Sequence, residues 1–353
     1  MSNEDQREPV PGDSKWLCLP RHRPDSKILE FPYAIGKCLE VQSHVAPEPL
    51  EAPYAGRRPD PPSGSHEMTQ LEFCLASPPL EGYLGQETMS LTITGALAVS
   101  GTASLEESEV HEGTGPSDYG TIRRGAQILL VNNAMVAKIY DPLYYDAGDR
   151  GDRKDVTAIA DRDYTREVAA YQELEPFWGA LVPTYYGSWT FEIPTQTPTG
   201  ILQRSVRLIL IEHIQGRRLL DMNPHDLTEK ARTNVMRKVI KVESVFNFNS
   251  GVSHRDIAPR NFICVGDDLE GPDLRIVVLD FNNSVVHRLE LPISPVTRWP
   301  YIGNEFLGGW LPDEFDELQK WLWHQFATCQ SYQPPPAGLI AQDLDEQNPE
   351  MQL

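Results

Sequence analysis

Positive charge is scarce in this 353-residue chain. Its 31 lysines and arginines stand against 51 aspartates and glutamates, for a net charge of -20 at pH 7. That balance excludes a broad role in gripping nucleic acid or an acidic membrane, which both call for a basic surface. It leaves room for a nucleotide site, where a few local cations and a metal suffice. Cysteine is scarce as well. Cys18, Cys38, Cys74, Cys264 and Cys329 include no C-x-x-C pair, so neither a zinc site nor a disulfide framework is indicated, and a reducing compartment is the simpler setting. Long hydrophobic runs are missing. None approaches the ~18 residues of a membrane helix, and pieces such as Arg275 to Phe281 are strand-sized. The opening Met-Ser-Asn-Glu-Asp carries neither the basic nor the apolar region of a secretory leader. The expectation is a soluble cytoplasmic or nuclear protein without nucleic-acid or membrane partners.

Proline is plentiful near the ends. Pro47, Pro49, Pro53, Pro59, Pro61 and Pro62 crowd the first segment, and Pro334-Pro335-Pro336 precede an acidic finish. Low hydrophobicity with many prolines does not offset the entropy of ordering. Residues 1–66 and 330–353 are therefore predicted to be disordered. The folded part is expected to start between Thr69 and Leu91.

The first half of that folded part reads mostly as strands. Ser90 to Val99, Ala126 to Val131, Ala134 to Tyr140 and Arg207 to Ile214 carry strand patterns, and Asn132-Asn133 is a turn signal. A helix is predicted from a cap at Asp161 or Asp163 to about Leu174, with Glu167, Tyr171 and Leu174 at helical spacing. Further on, Asp226 with Glu229 reads as a cap for a helix buried through Val235, Met236, Val239, Ile240 and Phe246 and stopped at Gly251. Phe262 to Val265 and Arg275 to Asp280 read as a hairpin. Asp313 to Phe326 reads as a last amphipathic helix with Leu318, Trp321, Leu322 and Phe326 on its apolar stripe.

Between the buried helix and the hairpin lies His254-Arg255-Asp256-Ile257-Ala258-Pro259-Arg260-Asn261, and Asp280-Phe281 closes the hairpin. This is the order phosphoryl transfer needs. One carboxylate accepts the proton of an attacking hydroxyl. A neutral oxygen ligand and a second carboxylate then hold magnesium on nucleotide phosphates. Asp256 is the candidate base, and Asn261 and Asp280 are the candidate metal ligands. His254 is expected to buttress the loop. Arg255 and Arg260 flank the base, each as a phosphate contact or a structural ion pair. Upstream, Lys138 sits on a short strand among apolar neighbours and points off one sheet face, as a charge for phosphates or as an edge-strand lysine. Glu167 is its expected partner on the next helix, with Glu173 as the competing choice. The loop Asp141 to Ile159 accounts for the long interval between Lys138 and Glu167.

These stretches resemble the motifs of the protein kinase-like superfamily, H-R-D-x-x-x-x-N, D-F-G and V-A-I-K. The D-F-G match is imperfect, because Asn282 stands where glycine would be. Ala137 to Tyr145, Tyr185 to Thr190 and Ala258 to Asn261 are similar to a group of fungal kinase-like proteins. The short stretch after Asp280 is similar to the aminoglycoside and choline kinase branch. The resemblance implies an α+β, two-lobed protein kinase-like fold with a reduced C-terminal lobe, divided into residues 67–214 and 215–329, with a nucleotide between the lobes. It implies ATP and Mg2+ as cofactors, and catalytic roles for Asp256, Lys138 and Glu167. It also implies a hinge at Glu212-His213-Ile214 whose backbone reads adenine. Two phosphate-loop candidates remain open, Gly113 to Gly120, where Pro116 removes a donor, and Arg123-Arg124-Gly125. Ala46-Pro47-Glu48 spells A-P-E but precedes Lys138, so it is coincidence. The activity implied is transfer of the γ-phosphoryl of Mg-ATP to a hydroxyl of a protein or small molecule. The alternative is a pseudokinase that holds nucleotide, or acts as a scaffold, without turnover.

Overall fold

The computed structural model describes residues 31–51, 54, 56–98, 125–145, 154–197, 199–287, 306–307, 309–329 and 332. These form a mixed α+β protein with one large antiparallel sheet. The chain divides into two compact units, Met1–Val168 with Tyr186–His213, and Ala169–Tyr185 with Ile214–Leu353. Ala169–Tyr185 thus belongs with the second unit, not with the first half of the chain as the sequence suggested. No helix among the described residues is long and apolar enough to cross a membrane.

In the first unit six strands close into a barrel. They are β1 (Cys38–Val45), β2 (Tyr83–Ala98), β3 (Gln127–Val131), β4 (Met135–Tyr140), β5 (Tyr185–Thr197) and β6 (Gly200–Glu212), ordered β1-β2-β3-β4-β6-β5. The β3–β4 turn places Asn132 and Asn133 at φ 49° and 58°, a left-handed conformation that asparagine tolerates better than most side chains. Asn132 Oδ1 accepts the Thr92 N–H at 2.9 Å, which ties the turn to β2. Two helices belong with this unit, α1 (Gln70–Ala76) and α2 (Val156–Glu173), the latter as far as Val168. A capping box starts α1. Thr69 Oγ1 accepts the Glu72 N–H at 3.1 Å, and Glu72 accepts the Thr69 N–H at 2.8 Å.

Three expectations need correction here. β1 lies inside the segment predicted to be disordered. Leu39 and Val41 alternate with Glu40 and Gln42, and the two apolar side chains are buried. Their stabilisation comes from pairing with β2 far along the chain, Cys38 opposite Thr92 for instance, which local composition does not register. β5 was missed as well. Pro194 and its polar neighbours disguise a strand whose Phe191, Ile193 and Thr195 point inward. Finally, α2 begins at Val156, where the Asp155 carboxylate accepts the Ala158 N–H at 2.8 Å. Asp161 and Asp163 are not caps. Both are buried within the helix, and Arg58 neutralises Asp161.

The second unit is built on α3 (Glu229–Val245). Val235, Met236, Val239 and Ile240 make its buried face, as their helical spacing predicts. Its cap is Thr228, whose hydroxyl accepts the Ala231 N–H at 3.1 Å. Asp226 instead ends a short 3-10 turn, Pro224–Asp226. The helix runs into a π turn, Phe246–Ser250, which stops at left-handed Gly251 (φ 62°). The remaining elements are β7 (Arg217–Arg218), β8 (Val252–Ser253), β9 (Phe262–Val265), β10 (Arg275–Val278), β11 (Val285–Val286) and α4 (Phe315–Phe326). They form the sheets β10-β9-β7 and β11-β8. In α4, Leu322 and Phe326 are buried, while Leu318 and Trp321 are half-buried. The predicted disordered tail lies outside the described residues except Tyr332, whose hydroxyl donates to Ser244 Oγ at 2.8 Å.

Candidate functional site

The predicted site residues fall into two groups, one in each unit. In the first, Lys138 on β4 is 5 % exposed and Glu167 on α2 is fully buried. The Lys138 ammonium donates to Glu167 Oε2 at 2.5 Å across 29 residues of sequence. Tyr140, two residues on and so on the same strand face, donates its hydroxyl to the same oxygen at 2.6 Å. A lysine this buried needs a counter-charge to stay ionised, and the helix supplies Glu167 rather than Glu173. Tyr140 was missed by sequence reasoning, although the period of two along the strand could have signalled it.

In the second unit, the loop from β8 to β9 is organised by His254, which is fully buried. Its Nε2 lies 2.8 Å from the Leu279 carbonyl and its Nδ1 accepts the Asp256 N–H at 3.2 Å. A carbonyl only accepts, so Nε2 carries the proton and the ring is the neutral tautomer. Arg255 between them is left-handed, at φ 62°. Asp256 accepts three hydrogen bonds from two side chains. Asn261 Nδ2 reaches its backbone oxygen at 2.8 Å and its Oδ2 at 2.9 Å, and Arg260 Nη2 reaches Oδ1 at 2.5 Å. Each carboxylate oxygen keeps a further lone pair, so these bonds aim the group without removing its capacity to accept a proton. Arg260 makes an ion pair with the candidate base.

Asp280 is brought to the same region by the backbone. The Leu279 N–H donates to the Asn261 carbonyl at 2.8 Å. Asp280 itself takes φ 67° and ψ 69°, left-handed for a residue with a β-carbon. Such a conformation persists only where its surroundings over-determine it. Here the anchor is Phe281, fully buried, with its ring 4.8 Å from His254, 5.3 Å from Tyr171 and 5.9 Å from Phe246. Asn282 sits in the 3-10 turn Phe281–Asn283 and is not among the positive-φ residues. Glycine is not required at that position, and the departure from D-F-G is conformationally harmless.

The residues present fit a magnesium ion that arrives with phosphates. Asn261 uses its amide nitrogen on Asp256, so its oxygen would be the atom offered to such an ion, and Asp280 would add a carboxylate. No group of three or more His, Cys, Asp or Glu side chains among the described residues forms a cage of its own. That suits a cation that completes its shell with water and phosphate oxygens.

Glu212 ends β6 opposite Met135, and the His213 N–H is turned to the Ala134 carbonyl at 3.4 Å. Ile214 is buried in the second unit against Ile263 and Val277. Gly113 to Gly120 and Arg123-Arg124 lie outside the described residues. A cavity of about 540 Å3 is present in the first unit, and none of the predicted site residues lines it.

No protein-family model and no curated protein matches the chain. Solved structures similar to it include WbdD (15% identity over 46% of this chain and 31% of that one, TM-score 0.31). Another is Rad53 1-466 in complex with AMP-PNP (16% identity, 49% and 38%, TM-score 0.31). A third is the bifunctional kinase-methyltransferase WbdD (14% identity, 56% and 38%, TM-score 0.31). The matched part thus spans 31% to 38% of those chains.

Proposed function

We propose that the chain is a kinase-like, ATP-dependent phosphotransferase acting on a hydroxyl of a small molecule or protein. The observation that carries this reading is the Asp256–Asn261–Asp280 arrangement, with the base fixed by Asn261 and Arg260 and the second carboxylate held in a left-handed kink. In this reading Asp256 takes the proton of the acceptor hydroxyl as its oxygen bonds to the γ-phosphorus. The bond from that phosphorus to the β-γ bridging oxygen breaks, and ADP leaves. Lys138, held by Glu167, supplies positive charge for the α- and β-phosphates. Asn261 and Asp280 hold Mg2+, which when bound neutralises charge on the phosphate oxygens. The backbone of Glu212, His213 and Ile214 receives the adenine. The barrel unit serves as the N-lobe and the α3 unit as a reduced C-lobe, near the limits 67–214 and 215–329. A relationship to the fungal kinase-like group or the aminoglycoside and choline kinase branch belongs to the same proposal, as does a cytoplasmic or nuclear setting. The free thiols of Cys38, Cys74, Cys264 and Cys329 support that setting.

Mg-ATP at 100-fold its dissociation constant should stabilise the folded chain by about 2.7 kcal/mol. Transfer of labelled γ-phosphoryl should then be screened over protein and small-molecule acceptors. Asp256→Asn should lower turnover roughly 10²–10⁴-fold, the usual worth of a positioned base, while leaving the Mg-ATP melting shift intact. Absence of any shift removes the reading. One observation favours a second reading, a pseudokinase. The Arg260 guanidinium lies against Asp256 Oδ1, where it can screen the candidate base from an acceptor hydroxyl. A Mg-ATP shift with no transfer to any acceptor, unchanged in Arg260→Ala, would establish it.

A further inference from the structure

The barrel of the first unit is closed by little. β1 and β5 pair only at Gln42–Thr190 and Ser43–Trp189. Carried two residues further, the same register would set Glu40 opposite Glu192, and four residues further, Cys38 opposite Pro194. Like charges directly opposite one another destabilise a ladder, and proline offers no N–H to it. The sequence itself therefore stops the pairing. What lies beyond is the cavity of about 540 Å3, lined by Lys37 and the first three residues of β1, Cys38 to Glu40, by β5 from Phe191 to Gln196, and by Leu143, Tyr144 and Arg204. Its size is that of a ligand site.

The walls of this gap are strand edges. The Ile93 N–H donates to the Lys37 carbonyl at 2.9 Å, so odd-numbered residues of β1 are in bonding register with β2. By the alternation of an antiparallel ladder, the N–H and C=O groups of Cys38 and Glu40 face the gap. Side chains divide by side. Leu39, Phe191 and Ile193 are buried, while Glu40 and Glu192 are exposed. The charges lining the cavity are two carboxylates against the single ammonium of Lys37, because Arg204 is paired with Asp141.

We infer that this gap is a docking site for an extended peptide strand of another protein, carrying apolar residues on its inward face and a basic residue on its outward face. The strand hydrogen-bonds to the open edge of β1, a mode of recognition in which the main chain supplies affinity and alternate side chains supply specificity. Its apolar residues meet Leu39, Phe191 and Ile193, and its lysine or arginine lies by Glu40 and Glu192. The surface is independent of the proposed phosphotransfer residues.

The test uses the full chain and two labelled peptides, acetyl-Thr-Val-Lys-Val-Thr-amide and its counterpart with glutamate at the centre. The lysine peptide should bind at least tenfold tighter at low ionic strength, and Glu40→Lys with Glu192→Lys should reverse the order. Both glutamates are exposed, so the folded state should survive, which circular dichroism checks. In the unaltered protein, adding the lysine peptide should slow hydrogen exchange at the Cys38 and Glu40 amides. Equal affinities for the two peptides, or exchange at those amides unchanged under saturating peptide, would overturn the inference. So would a concentration-dependent dimer dissolved by the charge reversals, since that assigns the gap to a second copy of the chain.

Discussion

Replacing Glu167 by glutamine removes one charge and almost no volume, so it isolates what the carboxylate does for Lys138. The Lys138 and Glu167 side chains are 7% and 1% exposed and their charged atoms are 2.5 Å apart. Removing one member of a buried pair leaves an uncompensated charge and costs about 3–5 kcal/mol, whereas replacing both by uncharged groups is often close to neutral. Glu167→Gln alone takes away the ammonium's charged partner on α2. Lys138→Met alone leaves a buried carboxylate beside the Tyr140 hydroxyl. Together they remove both charges of the pair. The double variant should therefore be more stable than either single one, a reversal of sign that simple addition does not produce. Urea unfolding monitored by circular dichroism reads the three differences, with the slope m checked for constancy. If the double variant loses the sum of the two single costs to within about 0.5 kcal/mol, the two side chains do not share a dry pair and the reasoning fails. The Mg-ATP melting shift adds a functional arm, since Lys138→Met and the double variant should both lose it.

Three further perturbations follow the same logic. His44 is 4% exposed, with Nδ1 2.7 Å from the Tyr164 hydroxyl; burial first and then the Arg207 charge lower its pKa from 6.5 to about 4. Its folded pKa is below the unfolded one, so its contribution is complete above pH 6.5 and is lost as pH falls toward 4, by about 3 kcal/mol in all. His44→Phe should flatten that part of the stability profile, and an unchanged slope between pH 6.5 and 4 would count against the assignment. Asp141 is fully buried and accepts from both Arg204 terminal nitrogens and, at 2.5 Å, from the Tyr33 hydroxyl. Asp141→Asn should cost about 3–5 kcal/mol in urea unfolding, and Tyr33→Phe about 1.5–3 kcal/mol, the worth of a hydrogen bond to a charged group; near-zero losses would show that water reaches the network. Asp280→Asn keeps a side chain that tolerates positive φ but removes the charge, so it should abolish stabilisation by Mg-ATP, which a melting titration checks.

Local regularity decided which parts of the fold were legible. α3 was readable because Val235, Met236, Val239 and Ile240 repeat at helical spacing and all four are buried. The β3–β4 hairpin was readable because Asn132-Asn133 is a turn signal and the two flanking strands are short and apolar. β1 was not, because its partner Thr92 lies 54 residues beyond Cys38 and its own eight residues carry only a brief alternation. Proline-rich composition then outweighed a correct local pattern. The same error hid Arg58 and Tyr33, which reach Asp161 and Asp141 across more than a hundred residues.

The candidate site shows the opposite relation between distance and legibility. Asp256 and Asn261 are five residues apart, and a loop that short must place them together, so spacing alone carried the inference. Asp280 is further off, yet a hairpin with a fixed register, Arg275 opposite Val265 and Val278 opposite Phe262, returns it to Asn261. What spacing does not encode is the state of the base. Arg260 stands four residues beyond Asp256, as compatible with a phosphate contact as with the ion pair it makes. The left-handed turn at Asp280 is equally silent in the sequence, because its cause is the burial of Phe281 against His254, Tyr171 and Phe246. Those rings come from separate elements of the second unit. The geometry of the Asp280 carboxylate is thus set by packing, and substitutions in that ring cluster should move Asp280 while leaving every motif residue intact.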